Sequence, residues 1–252
     1  MKISFVIPAY NEEAMLGKCL ASVFKEIEGS RTSLNPFEAE VVVVDNASTD
    51  RTREEALKFS NVTVVRENLK GLVYARRAGW VATSGELGAN IDADTIVPDG
   101  WLSTVVREFA KDKNLVALSG PYIYYDLPAW QRALVKAFYF LGWLIHLVNH
   151  HVLRVGAMLQ GGNFVLRRSA WDSVGGFDVT ISFYGEDTDV AKRIGKAGRV
   201  KWTWGLPMHT TGRRLAEEGL VKMSWVYTLN HLAILWTGRP ATKKYSDIRI
   251  DA

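Results

Sequence analysis

The chain is predicted to be an α/β protein built on a mostly parallel sheet with helices on both faces. Three observations predict it. Short apolar runs alternate with segments of helical periodicity through residues 1–91, the pattern of successive βαβ units. The stretch Glu40–Val44 is almost entirely β-branched, as a strand covered on both faces requires. Polar clusters follow three of the strands, Tyr10-Asn11-Glu12, Asp45-Asn46 and Asp92-Ala93-Asp94. In such sheets ligands bind beyond the carboxyl ends of the strands, so the pattern implies a nucleotide-carrying sheet.

The elements follow in order. Ile3–Ile7 is a short apolar strand stopped by Pro8. Met15, Leu16, Leu20, Val23, Phe24 and Ile27 then recur at helical spacing, with Gly29 as the expected end. After the Glu40–Val44 strand, the cluster Asp45-Asn46-Ala47-Ser48-Thr49-Asp50 is rich in turn and N-cap residues. It leads into a helix through Leu57. Val62–Val65 is a third strand, and Gly71 opens a helix over Leu72–Ala82. Glu86–Ile91 is a fourth strand and runs into the Asp-x-Asp pair. Further on, Gly161-Gly162-Asn163-Phe164 is a permissive turn entering a strand, and Gly185-Glu186-Asp187 precedes a helix.

Composition narrows the function classes. With 48% hydrophobic and 23% charged residues among 252, the chain is long and apolar enough for a substantial core. Cys19 is the single cysteine, which excludes an intrachain disulfide and fits a reducing compartment. A net charge of +4 suits anionic nucleotides or lipid headgroups. No basic tract with interleaved aromatics points to nucleic acid. The N-terminal apolar run is too short for a secretory signal and is expected to be a strand of a cytoplasmic protein.

The chemistry centres on Asp92 and Asp94. Asp is depleted in strand interiors, so two of them one residue apart mark a strand end, and extended chain projects both to one side. Such paired carboxylates repel unless a cation or a donor-rich ligand lies between them. Hard oxygen ligands of this kind suit Mg2+ or Mn2+ with substrate phosphates as further ligands. A solvated turn is the plainer alternative.

Taken together, Pro8-Ala9-Tyr10-Asn11-Glu12, Val43-Val44-Asp45-Asn46-Ala47-Ser48-Thr49-Asp50 and Ile91-Asp92-Ala93-Asp94 resemble the N-terminal half of a family 2 glycosyltransferase of GT-A fold. The likeness continues in order through Gly162-Asn163-Phe164, Gly175-Gly176-Phe177-Asp178 and Gly185-Glu186-Asp187-Thr188-Asp189. The resemblance implies one GT-A domain with a nucleotide-binding half (1–100) and an acceptor-binding half (101–215). A helical insertion lies at 129–154, and a C-terminal helix and tail occupy 216–252.

It further implies a nucleotide-diphosphate sugar donor, by expectation UDP-linked, a hydroxyl acceptor and a divalent metal. Asp45 would accept from the uracil imide, with Pro8, Ala9 and Tyr10 walling the base and Glu12 beside them. Asp92 and Ala93 would meet the ribose or bridging region, and Asp94 would ligate the metal. Gly162 and Asn163 would lie under the donor sugar and the acceptor. Arg76 is open between a ribose or diphosphate contact and a solvated helix face. Asp187 would be the general base of an inverting transfer, with Glu186 orienting it or touching the acceptor. His209 is a candidate for completing the metal shell, and Arg213 would contact the diphosphate. No Gln-x-x-Arg-Trp motif occurs, which disfavours a processive polysaccharide synthase. A nucleotidyltransferase would want a Gly-rich basic loop after the first strand, which Pro8-Ala9-Tyr10-Asn11-Glu12 does not offer. A non-catalytic sugar-nucleotide module remains the third reading.

Two apolar stretches stand apart. In 129–154, Leu134, Phe138, Leu141, Ile145, Val148 and Val152 form a helical stripe, with Arg132, Lys136, Tyr139, His146 and His150 on the other side. Lys136 and His146 interrupt it, leaving less than the ~20 residues needed to span a bilayer. It reads as a core helix, a homodimer contact, or an in-plane helix on the cytoplasmic face of a membrane, serving a lipid-linked acceptor. Leu220–Trp236, with Trp225, Tyr227 and Trp236, fits the same readings. The tail from Gly238 is expected to be loosely ordered.

Overall fold

The computed structural model describes residues 1–31, 36–147, 158–181 and 183–242. The first half runs β1 (Lys2–Ala9), α1 (Leu16–Arg31), β2 (Glu38–Asn46), α2 (Thr52–Leu57), β3 (Val62–Glu67), α3 (Leu72–Val81) and β4 (Leu87–Ile91). The second begins β5 (Thr95–Ile96), α4 (Trp101–Lys111), β6 (Leu115–Ser119), β7 (Tyr122–Tyr124), α5 (Ala129–Leu147) and β8 (Asn163–Arg167). It ends α6 (Arg168–Ser173), α7 (Glu186–Ile194), β9 (Arg199–Trp202), β10 (Met208–Thr210), α8 (Arg213–Glu218) and α9 (Leu220–Thr237).

The main sheet has the order β3-β2-β1-β4-β8-β6-β9. All neighbours pair in parallel except β8, which is antiparallel to both β4 and β6. The chain first winds outward from β1 to β2 and β3, then crosses back to lay β4 on the other side of β1. That reversal opens a crevice beyond the ends of β1 and β4, where ligands of doubly wound sheets bind. A three-stranded sheet, β5-β10-β7, stands beside it and was not foreseen from sequence.

The predicted burial on both faces is observed. Ile3, Phe5, Ile7, Val41 and Val43 meet α1 and α4 in one core, while Val42 and Val44 meet Ala75 of α3 in another. Successive side chains of a strand alternate faces, so an unbroken Val run serves both. Each fully buried side chain of this kind contributes about 1.5–3 kcal/mol. Pro8 does not stop β1. It lies opposite Val44 and beyond Val6, the last residue paired to β4, so the side facing β4 has no ladder bond to lose. Likewise β2 runs on through Asp45 and Asn46. α1 passes Gly29 and ends at Arg31. The tail turns back after α9, with the Thr242 amide donating to Asn230 Oδ1 at 2.9 Å. Residues 148–154 of the insertion and 243–252 of the tail lie outside the described residues.

α5 is not a core helix over its described side chains. Leu134, Phe138, Phe140, Leu141 and Leu144 are exposed, and the buried line is Val135 and Tyr139. Tyr139, assigned from the stripe to the polar side, is therefore the inward anchor. It stacks on Trp202 at 6.3 Å between ring centroids. No helix among the described residues is long and apolar enough to cross a membrane.

Candidate active site

The loops after β1 and β2 are tied to each other, which sets one wall of the crevice. Asn11 Oδ1 accepts from the Thr49 amide at 2.9 Å, and the Glu12 and Glu13 amides donate to Thr52 Oγ1 and Asp50 Oδ2 at 2.8 and 3.0 Å. Asn11 (φ 49°) and Ala47 (φ 60°) are both left-handed, a conformation costly for alanine and found where surrounding contacts impose it. Ser48 and Thr49 thus serve as ties to the first loop rather than as caps of α2.

A cleft of about 720 Å3 opens at these strand ends. Of the residues expected at the site, Pro8, Ala9, Tyr10, Arg76, Asp92, Ala93, Asp94, Glu186, Asp187 and Arg213 line it. On the nucleotide side Lys70 Nζ stands 3.9 Å from the centre of the Tyr10 ring, and Asn46 fixes the turn before α3 by accepting from the Gly71 amide at 2.7 Å.

The carboxylates are organised by two arginines. Arg76 on α3 is neither solvated nor free. It is 1% exposed and bridges Asp92 Oδ1, at 3.2 Å, to Glu186. A buried guanidinium needs such partners, because removing charge from water is costly. Tyr122 donates from its hydroxyl to Asp92 Oδ2 at 2.8 Å. Burial first, then the charges of Asp92 and Asp94, push the Tyr122 pKa well above its usual value, so it remains a donor. Arg213 Nη2 reaches Glu12 at 2.8 and 2.9 Å and Asp94 Oδ2 at 2.9 Å, and Thr211 Oγ1 donates to the same Asp94 oxygen at 3.0 Å. Burial alone would lower the Arg213 pKa. Glu12 and Asp94 outweigh it and raise the pKa above the usual guanidinium range.

Around Asp187 the arrangement is tighter than the sequence suggested. Its Oδ1 accepts from the Thr188 amide at 2.7 Å, and its Oδ2 from the Gly161 amide at 3.3 Å. His231 of α9 places Nδ1 3.1 Å from Thr188 Oγ1. Burial lowers the His231 pKa, partly offset by Asp187, so its imidazole is neutral near pH 7. Glu186 Oε2 is buried against the cleft with no hydrogen-bond partner among the described residues.

Five expected residues do not line the cleft. Asp45 is buried, with Oδ1 accepting from the Ser48 amide at 3.1 Å and Oδ2 paired to Arg66, so a base can reach it only if Arg66 leaves. Glu12 lies behind Arg213. Gly162 (φ 72°) lies beneath the wall, and a Cβ there would overlap the Asp92 carboxylate and the Tyr122 hydroxyl. Asn163 is a core bracket: it donates to the Gly120 and Leu206 carbonyls at 3.1 and 2.9 Å and accepts from Trp101 Nε1 at 3.0 Å. His209 is paired between Ile96 and Ile123 in the small sheet. Its neighbour Thr210 lines the cleft, and alternation along a strand turns His209 to the other face. Tyr122 and His231 carried no sequence signal, since a single tyrosine in a short extended stretch and a lone histidine in a helix form no motif.

The donor set suits a hard divalent cation. Among the described residues no three His, Cys, Asp or Glu are grouped to hold a metal alone. Asp92 and Asp94 nevertheless supply carboxylate oxygens of the type used by Mg2+ or Mn2+, ions that retain waters and take phosphate oxygens.

The comparisons agree with this architecture. The mannosyltransferase of Pyrobaculum calidifontis, solved with GDP-Man and Mn2+, superposes at TM-score 0.67 with 20% identity over 94% of this chain and 63% of that one. Glucosyl-3-phosphoglycerate synthase of Mycobacterium tuberculosis, solved with Mn2+ and UDP-glucose, gives 0.63 and 22% over 96% and 80%. Both likenesses concern the fold, which is GT-A. A dolichyl-phosphate beta-glucosyltransferase of Trichomonas vaginalis is 31% identical over 58% of this chain and 47% of its own length. The succinoglycan biosynthesis protein ExoA of Rhizobium meliloti is 30% identical over 88% and 66%. The chain thus spans about half the length of the first of these curated relatives and about two thirds of the second. The glycosyl transferase family 2 model matches residues 4–175, more than half of the chain, and with the fold and the ordered carboxylates this establishes that the chain belongs to glycosyl transferase family 2.

Proposed function

We propose that the chain transfers a sugar, with inversion, from a nucleotide-diphosphate sugar to an acceptor hydroxyl, the donor being UDP-linked and the acceptor lipid-linked. The observation that carries this reading is the meeting of Asp92 and Asp94, from the turn after β4, with Glu186 and Asp187 of α7 in one cleft beyond the ends of β1 and β4.

Pro8, Ala9 and Tyr10 flank the base, and Asp45 accepts from its imide once Arg66 has moved. Asp92, held by Arg76 and Tyr122, presents its carboxylate toward the ribose. Asp94, with Asp92, would hold a divalent cation, which when bound offsets the negative charge that grows on the diphosphate. Arg213 transfers from Asp94 to a phosphate oxygen, since guanidinium matches both partners. Asp187 takes the proton of the acceptor hydroxyl as that oxygen bonds to the anomeric carbon and the diphosphate departs with the electron pair. The amides of Gly161 and Thr188 hold it at the α7 N-terminus, where the helix dipole favours the carboxylate. Glu186, whose Oε2 has no partner among the described residues, would accept from an acceptor hydroxyl. The exposed aromatics of α5 and α9 support peripheral contact with a lipid surface.

The test is calorimetric titration of UDP, and in parallel GDP, with and without Mn2+, followed by assay of donor hydrolysis. Metal-dependent UDP binding that disappears in Asp94→Ala is the expected result. Unchanged affinity in that variant would remove Asp94 as a ligand, and tight binding without turnover would favour a binding module.

A further inference from the structure

The cleft does not end at the carboxylates. It continues between α5 and α9, and this wing differs in character from the rest. Its walls from the two helices carry no formal charge: Leu134, Phe138 and Leu141 from one side, Val221, Tyr227 and Leu232 from the other. All six are large apolar or aromatic side chains left exposed, Leu141 at 57% and Val221 at 83%. Exposed apolar surface collected in one concave place marks a binding site more often than scattered residues do.

The wing is also built rather than accidental. At its inner end Val135 and Tyr139 of α5 and Met223 of α9 share a core with Tyr184 and Trp202. Lys192 of α7 donates to the Ile234 and Leu235 carbonyls at 3.0 and 2.9 Å, locking the end of α9 against the helix that bears Asp187. A Cβ at Gly185, the residue before α7, would press on Ile234. The apolar wing and the catalytic carboxylates are thus held in a constant relation. At the inner end Tyr139 donates to Gln160 Oε1 at 2.7 Å, and beyond it the α5 wall is hydrocarbon. The α9 wall also carries Ser224 and Thr228, with Thr228 Oγ1 donating to the Ser224 carbonyl at 2.8 Å, and His231, which faces Thr188.

We propose that the α5–α9 wing holds the hydrocarbon chain of a long-chain acceptor whose polar head lies at Asp187. The inference rests on the glycosyl-transfer reading and specifies its acceptor class. A polar sugar chain would leave the hydroxyls that face the α5 wall without partners. A single alkyl or prenyl chain fits the apolar walls, and each methylene it buries raises affinity about fourfold.

The experiment titrates the protein with dodecyl phosphate below its micellar concentration, with butyl phosphate and inorganic phosphate beside it, and with UDP plus Mn2+ as a separate measurement. Dodecyl phosphate should bind at least about tenfold more tightly than butyl phosphate. Phe138→Asp and Leu232→Asp, both at exposed positions, should each remove most of that difference while UDP affinity and the melting temperature stay as in the wild type. Equal affinity for the two alkyl phosphates, or full dodecyl affinity in both variants, would overturn the proposal. So would a dimer in light scattering that excludes dodecyl phosphate and dissociates in Phe138→Asp, which would assign the wing to a second copy of the chain. Loss of UDP binding with the alkyl preference intact would instead remove the donor reading and leave the chain site standing.

Discussion

Asp187 and Arg76 show how differently two charged residues are used in one cleft. Asp187 is held by two backbone amides and opens on the cleft, an arrangement suited to a base. Asp187→Asn keeps the shape and one of the two amide contacts, through its carbonyl oxygen, but cannot take a proton. Donor affinity should be retained and transfer should fall by about 10²–10⁴-fold. Near-normal transfer in a steady-state assay would exclude it as the base. Arg76 acts differently, as the buried counter-charge of Asp92 and Glu186. Arg76→Ala should lower unfolding stability by about 3–5 kcal/mol, because it leaves carboxylates without compensation. Urea denaturation measures this directly, and an unchanged midpoint would show that the pairing carries no net stability. Sequence left this residue open between a ligand contact and a solvated face. Nothing local distinguishes it from exposed Arg77, and only the approach of α7 buries one and spares the other.

At the scale of elements, the site depends on turns that place strand ends side by side. The turn before β8 is the sharpest case. Gly162 is left-handed and lies against Asp92 and Tyr122, so Gly162→Ala both strains the backbone and displaces the Asp92 carboxylate. We expect metal-dependent UDP affinity to drop at least about tenfold with the sheet intact by circular dichroism; retained affinity would show that the turn can yield. The permissive glycine pair and the strand behind it were legible in sequence. The role of Asn163 was not, since its three hydrogen bonds go to Gly120, Leu206 and Trp101, distant in the chain. The same applies to β5-β10-β7. Strands of two or three residues have too few positions to show a period of two.

For the molecule as a whole, the edges of β1 and β2 are tied to the turn before β4 through Glu40. Burial alone would raise its pKa. Lys2, Ser4 and the Ser84 amide outweigh that and bring it from 4.5 down to about 2. A folded pKa below the unfolded one adds stability that is complete above about 4.5 and is lost as pH falls toward about 2. Glu40→Gln should therefore lower stability at pH 7 by on the order of 1–2 kcal/mol, and the two proteins should converge near pH 2. Equal denaturation midpoints at pH 7 would count against this tie.

The local sequence by itself determined the alternation of strands and helices, the doubly buried Val run and the carboxylates at the strand ends. Those features arise from periodicity and residue chemistry, which act over a few neighbours. The tertiary structure alone decided which of those groups share a cleft. It withdrew Asp45 behind Arg66, turned His209 away, set Arg213 on Asp94 and brought His231 from the last helix to Thr188. Each of these depends on residues more than twenty positions apart meeting in space, and long-range packing leaves no periodic trace in the chain.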